Sequence, residues 1–169
     1  VDPVVAVLVE VTVRRLRQDH GLDAAPHLPC VGGTREEIRE LLKLYRALGC
    51  TRIVTLRGDL PSGMGHAGDL RHAIELVEFI RAEHGDHFRI EVAAYPETHP
   101  QADCALADLR HFRDKVAAGA DAAITQYFYN ADAYFHFVDQ VRALGVEVPI
   151  IPGIMPISIT KHRMPHSNC

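Results

Sequence analysis

The stretch Arg89-Ile90-Glu91-Val92-Ala93-Ala94-Tyr95-Pro96-Glu97 decides how the chain folds. A mostly apolar run, Arg89–Ala94, hands over at once to an aromatic, a proline and a carboxylate. A short run of this kind, ended by turn residues, reads as a strand buried on both faces, the type that parallel sheets use. Its polar groups come at the C-terminal end, where parallel α/β proteins place their ligands.

Four further runs are built the same way: Ala24–Leu28, Arg52–Leu56, Ala122–Thr125 and Val148–Pro152. The first three of these carry or lead into groups able to do chemistry, namely His27, Arg57-Gly58-Asp59 and Gln126. Strand starts recur at about 30 residues, the length of one βα unit. Between them the apolar residues take helical spacing. Val4–His20 ends at Gly21, and Thr34 with Glu37 forms a capping box that opens a helix stopped at Gly49. Asp69–His84, Ala102–Ala118 and Ala131–Leu144 are the remaining helices, the last two stopped by Gly119 and Gly145.

The fold class that follows is α/β, with about five parallel strands and five helices. Two architectures fit: part of a (β/α)8 TIM barrel, or an open doubly wound sheet. A closed barrel typically takes about 250 residues, so 169 supply only a part of one. Residues 1–157 read as one domain and 158–169 as an irregular tail. No internal repeat or linker interrupts them.

Composition narrows the function classes. The chain is 47% hydrophobic and 24% charged, ordinary globular values. A net charge of -4 gives no bulk attraction to nucleic acid or to an anionic membrane, so neither is expected as a partner. No apolar run approaches the roughly 18 residues of a membrane span. Val4–Val13 lacks the basic flank and small-residue cleavage site of a secretory signal. Cys30, Cys50, Cys104 and Cys169 are scattered and read as free thiols of a reducing, cytoplasmic setting. Among the 11 histidines no helix of the H-x-x-x-H or H-E-x-x-H kind appears, and no metal site is expected.

Several groups could carry chemistry. Arg57 offers a planar fork for phosphate or carboxylate, Gly58 a close backbone approach, and Asp59 an acceptor for ring N–H groups. Tyr95-Pro96-Glu97-Thr98-His99-Pro100 sets an aromatic, an acid and an imidazole on a loop braced by two prolines. Asp108, His111 and Lys115 share one helical face. Gln126 follows a strand of small residues, and His27 lies within one. Each has a plain reading too: a strand-end turn, a solvated stripe, a core histidine. No Gly-x-Gly-x-x-Gly follows a strand and no P-loop is present.

Read together, Ala24-Ala25-Pro26-His27-Leu28, Leu56-Arg57-Gly58-Asp59-Leu60-Pro61, Val92-Ala93-Ala94-Tyr95-Pro96-Glu97, His99-Pro100, Ala123-Ile124-Thr125-Gln126 and Ile151-Pro152-Gly153-Ile154-Met155-Pro156 resemble, in that order, the bacterial methylenetetrahydrofolate reductases. The resemblance covers about residues 5 to 158. It implies a TIM barrel holding FAD. NADH or NADPH reduces the flavin, which passes hydride to 5,10-methylenetetrahydrofolate to give 5-methyltetrahydrofolate for methionine synthesis. It implies a homo-oligomer for the full-length enzyme.

Carried over by position, His27, Arg57, Gly58, Asp59, Ala67, Tyr95, His99, Asp108 and Lys115 fall on the family's flavin contacts. Asp59 also falls on the carboxylate that tunes the flavin and meets the folate. Gln126 falls on the glutamine that holds folate or nicotinamide in turn. The family's proton-donating glutamate has no counterpart in these residues, and its last strands are not matched. His66-Ala67 stands where Tyr-Ala is usual, and His111 replaces a common asparagine. The chain therefore resembles strands three to about seven of the barrel. An alternative is a non-catalytic flavin- or folate-binding fragment. A third reading, a different barrel enzyme with a metal on His27 and His99, needs a further ligand.

Overall fold

The computed structural model describes residues 11–58, 68–97 and 104–155. A first helix, α1, occupies residues 11–19, its last five residues (Arg15–Asp19) wound as a π-helix. Strand β1 (His27–Pro29) follows, then α2 (Arg35–Ala47), β2 (Arg52–Leu56), α3 (Ala73–His84) and β3 (Arg89–Ala94). The chain continues through α4 (Ala105–Ala117), β4 (Ala122–Thr125), α5 (Ala131–Ala143) and β5 (Ile150–Ile151).

All four strand pairings are parallel, and the strands lie in sequence order β1-β2-β3-β4-β5. A doubly wound sheet reverses its order at a switch point, whereas a barrel adds each strand on the same side of the last. The observed order is that of a barrel. The fold is a five-stranded, partial TIM-barrel-like α/β unit.

The two faces of the sheet differ. Leu28, Ile53, Ile90, Val92 and Ala123 join Ile38, Leu42, Leu76, Ile80, Phe112 and Val141 of the helices in one core. Alternation along each strand turns the next rank the other way. His27, Val54, Glu91 and Ala122 share that second rank by register. There Arg52 sends Nη2 and Nε to Glu91 Oε1 at 2.5 and 3.1 Å, and Glu91 is 1% exposed.

Several element ends differ from the sequence expectation, among them the start of α4, at Ala105 behind an extended Cys104 rather than at Ala102; three elements differ for a clear local reason. Strand β1 begins at His27 rather than Ala24, because Pro26 has no N–H and can only accept, from Val54 N–H at 2.9 Å. Helix α3 begins at Ala73 rather than Asp69. Asp69 is used elsewhere: its N–H donates to Gly33 O and its carboxylate accepts from Arg35 N–H. Strand β5 shortens to Ile150–Ile151, since prolines at 149 and 152 remove donors on both sides. The start of the first predicted helix and the predicted tail, 158–169, lie outside the described residues.

Candidate functional site

The C-terminal ends of β2, β3 and β4 bring Arg57, Gly58, Tyr95 and Gln126, of the sequence candidates, to one end of the sheet. At β2, Cys30 N–H donates to Leu56 O and Val31 N–H to Arg57 O, at 3.0 and 3.1 Å, so the chain leaving β1 runs alongside the chain leaving β2. Cys30 Sγ also donates to Arg57 O at 3.4 Å, and burial pushes its thiol up to about 11. That cysteine is a structural thiol rather than a nucleophile. Arg57 itself is exposed.

Gly58 follows with φ +79, and a Cβ there would come within 2.8 Å of Pro29 Cβ. Only glycine keeps the backbone this close to β1. Gly68, at φ +82, is seated as tightly, with Gly33 O only 2.5 Å from a Cβ. Asp59 and Ala67 belong to the segment between these two glycines, and His99 to the segment after β3. All three lie outside the described residues.

Tyr95 continues β3 and is half-buried. Gln126 continues β4, exposed, with its N–H donated to Ala94 O at 2.8 Å. From below, Lys115 of α4 reaches the end of β3 and donates from Nζ to Ala93 O at 2.6 Å. Burial holds its ammonium down to about 8, against an opposing pull from Asp108. Lys115 is thus turned to the strand end, and Asp108, on the same helix, acts on its charge. His111, on the same helix, is exposed.

His27 takes a different place. It pairs in register with Val54, below the strand ends, and is exposed on the face opposite the helices. Among the described residues no group of His, Cys, Asp and Glu has the makings of a metal site. No described helix is long and apolar enough to cross a membrane.

Two features escaped sequence reasoning. Gly153 N–H donates to Thr125 Oγ1 at 2.9 Å, and a Cβ there would lie 2.0 Å from Thr125 O, so the chain leaving β5 rests on the end of β4. The pair Arg52–Glu91 was hidden because its partners are 39 residues apart. The one sequence signal was a carboxylate inside an apolar run. A cavity of about 550 Å³ lies at the opposite, N-terminal end of the sheet, lined among others by Arg52, His87 and Arg89.

What the strand-end set can do chemically is bind an anionic, planar ligand. A guanidinium and an ammonium serve phosphate, a glycine admits close backbone approach, and an amide can both donate and accept. This set fits a flavin dinucleotide: the exposed Arg57 guanidinium offers a partner to its phosphates, on a strand end that Gly58 holds tightly against β1.

Comparison with known proteins identifies the family of the chain. The family profile described as "Methylenetetrahydrofolate reductase" matches residues 6–165. The 5,10-methylenetetrahydrofolate reductase of Pectobacterium carotovorum is 44% identical over 146 residues, 86% of this chain and 48% of that protein. The Salmonella typhimurium protein of the same name is 45% identical over the same shares. "Methylenetetrahydrofolate reductase 2" of Saccharomyces cerevisiae is 41% identical, over 82% of this chain and 24% of its own. The chain therefore spans about half the length of the bacterial relatives. Among solved structures, a phosphonopyruvate hydrolase with oxalate and Mg++ aligns at a TM-score of 0.60 with 14% identity, over 85% of this chain and 50% of its own. That likeness is one of fold alone.

Proposed function

The chain belongs to the methylenetetrahydrofolate reductase family, and from that premise we propose that it takes part in the reduction of 5,10-methylenetetrahydrofolate to 5-methyltetrahydrofolate, using FAD and NADH or NADPH. This places it among the oxidoreductases of one-carbon metabolism and methionine synthesis. A cytoplasmic setting and a homo-oligomeric full-length enzyme belong to the same proposal.

The observation that carries the reading is the convergence of Arg57, Gly58, Tyr95, Gln126 and the Lys115 ammonium at one end of consecutive strands. Bound FAD would supply a two-electron relay between nicotinamide and folate. Arg57 and Lys115 would neutralise its phosphates, Gly58 would let the backbone approach it, and Tyr95 would offer a flat wall. His27, Ala67, His99 and Asp108 complete the proposed flavin set. Asp59 is proposed to tune the flavin and to meet the folate, and Gln126 to hold the folate ring with its amide.

The test is thermal. FAD at a hundredfold excess over its Kd stabilises a binding fold by about 2.7 kcal/mol, a clear rise in Tm. Arg57→Ala removes a charge-assisted partner and weakens FAD binding about tenfold or more. No shift in Tm at saturating FAD would refute the reading. FAD binding without turnover of 5,10-methylenetetrahydrofolate would favour the alternative, a non-catalytic flavin- or folate-binding unit.

A further inference from the structure

We infer that the N-terminal end of the sheet carries an anion site of its own, where the guanidinium groups of Arg52 and Arg89 take a phosphate dianion. The inference is independent of the proposed function, whose groups lie at the opposite end of the strands.

Arg52 and Arg89 are register partners across β2 and β3, one Cα directly beside the other. Side chains at paired positions of neighbouring strands leave the sheet on the same face. Both arginines line the cavity of about 550 Å³ at this end. Two like charges set side by side repel unless an anion lies between them. The protein supplies one to only one of the pair. Arg52 holds Glu91 Oε1 through Nη2 and Nε, at 2.5 and 3.1 Å. Arg89 is exposed and donates its backbone N–H to Thr51 O at 2.7 Å. Its guanidinium has no partner among the described residues.

Arg52 also keeps donors in reserve. Its Nη1 lies 3.9 Å from Asp23 Oδ2, beyond hydrogen-bond length, and bonds to nothing else among the described residues. The carboxylates of the lining do not offset this. Asp121 Oδ2 already accepts from Arg81 Nη2 at 2.6 Å and from Ile90 N–H at 2.7 Å. Asp86, exposed on the turn before β3, is the one lining carboxylate left without a partner among the described residues. One carboxylate does not hold a metal ion, and no group of His, Cys, Asp and Glu there has the makings of a metal site. Two guanidiniums with unused N–H groups set the cavity for an anion.

A guanidinium fork matches carboxylate and phosphate alike. Phosphate suits the pair better, because it has oxygens for both arginines at once and a double charge to set between them. The volume falls within the roughly 300–1,000 Å³ of small-molecule sites, so a phosphate ester fits as well as the free ion.

The test is calorimetric titration of the full chain with sodium phosphate, against sodium chloride at matched ionic strength, with Tm as a second reading. The expected result is saturable phosphate binding that raises Tm by mass action. Arg89→Gln weakens that binding about tenfold or more, since a charge-assisted partner is lost. Arg89 is exposed and its backbone bond stays, so circular dichroism and ligand-free Tm do not fall in this variant. Arg52→Leu combined with Glu91→Leu weakens binding too without altering net charge, which separates a site from bulk attraction. Arg57→Ala, at the other end of the sheet, leaves the Arg89-dependent binding in place. Glycerol 3-phosphate distinguishes the sources. Arg89-dependent binding tighter than that of the free ion assigns the site to a phosphate ester, and equal or weaker binding assigns it to free phosphate. No saturable phosphate binding, or binding that Arg89→Gln leaves unchanged, overturns the inference. FAD binding is read separately and bears on the proposed function alone.

Discussion

Glu91 is a carboxylate in the middle of a parallel sheet, 1% exposed, with one oxygen on Arg52 and the other without a hydrogen-bond partner among the described residues. Removing one member of such a pair strands a buried charge, whereas replacing both by apolar residues can be nearly neutral. We expect Arg52→Leu to cost about 2–4 kcal/mol, the lower end because the Arg52 side chain is 37% exposed. The double change Arg52→Leu with Glu91→Leu recovers most of that loss in denaturant melts. Lys115 gives a prediction in pH. Its ammonium falls from an ordinary 10.5 to about 8 in the folded chain, chiefly by burial. Between those values the unfolded chain binds more protons than the folded one, so ligand-free stability rises as pH climbs from about 8 to 10.5. Lys115→Met should flatten that rise in urea titrations across the window. A bound anionic ligand should also mask it, by holding the ammonium charged. At this scale the sequence was partly legible. Arg57, Gly58, Tyr95 and Gln126 could be read because each follows an apolar run, and Asp108 and Lys115 because they share a helical face. The Arg52–Glu91 pair and the seat of Gly153 on Thr125 are long-range contacts that no local pattern encodes.

The helices differ in how they start. Helix α2 has both halves of its capping box: Thr34 accepts from Glu37 N–H at 3.2 Å, and Glu37 accepts from Thr34 N–H at 2.7 Å. Those bonds hold the Glu37 carboxyl below its usual range. Helices α3 and α4, behind His72 and Cys104, have no side-chain cap. Thr34→Ala should therefore cost about 1 kcal/mol, read as a lower Tm. The same contrast explains where the sequence reading of boundaries succeeded. Thr34 and Glu37 marked the start of α2 to the residue, because the cap is local chemistry. The start of α3 was misplaced because Asp69, a good cap by type, is bonded to Arg35 and Gly33 instead. Strand β1 moved because a proline cannot donate to its ladder.

At the scale of the whole molecule, strand order does the deciding. Periodicity left a barrel portion and a doubly wound sheet equally open, since both alternate apolar strands with helices. Parallel strands in unbroken sequence order settle the choice for the barrel. They also give the sheet two functionally unequal ends. The C-terminal end gathers Arg57, Gly58, Tyr95, Gln126 and the Lys115 ammonium, while the N-terminal end has the cavity beside Arg52, His87 and Arg89. Both ends offer cationic groups to a phosphate, and the proposed function puts the flavin at the C-terminal one. The measurement that tests it most directly is a crystal structure of the chain grown with FAD. The account predicts flavin density at the ends of β2, β3 and β4, with the phosphates against Arg57 and Lys115. Flavin density in the cavity beside Arg52 and Arg89, or none at saturating FAD, would contradict it.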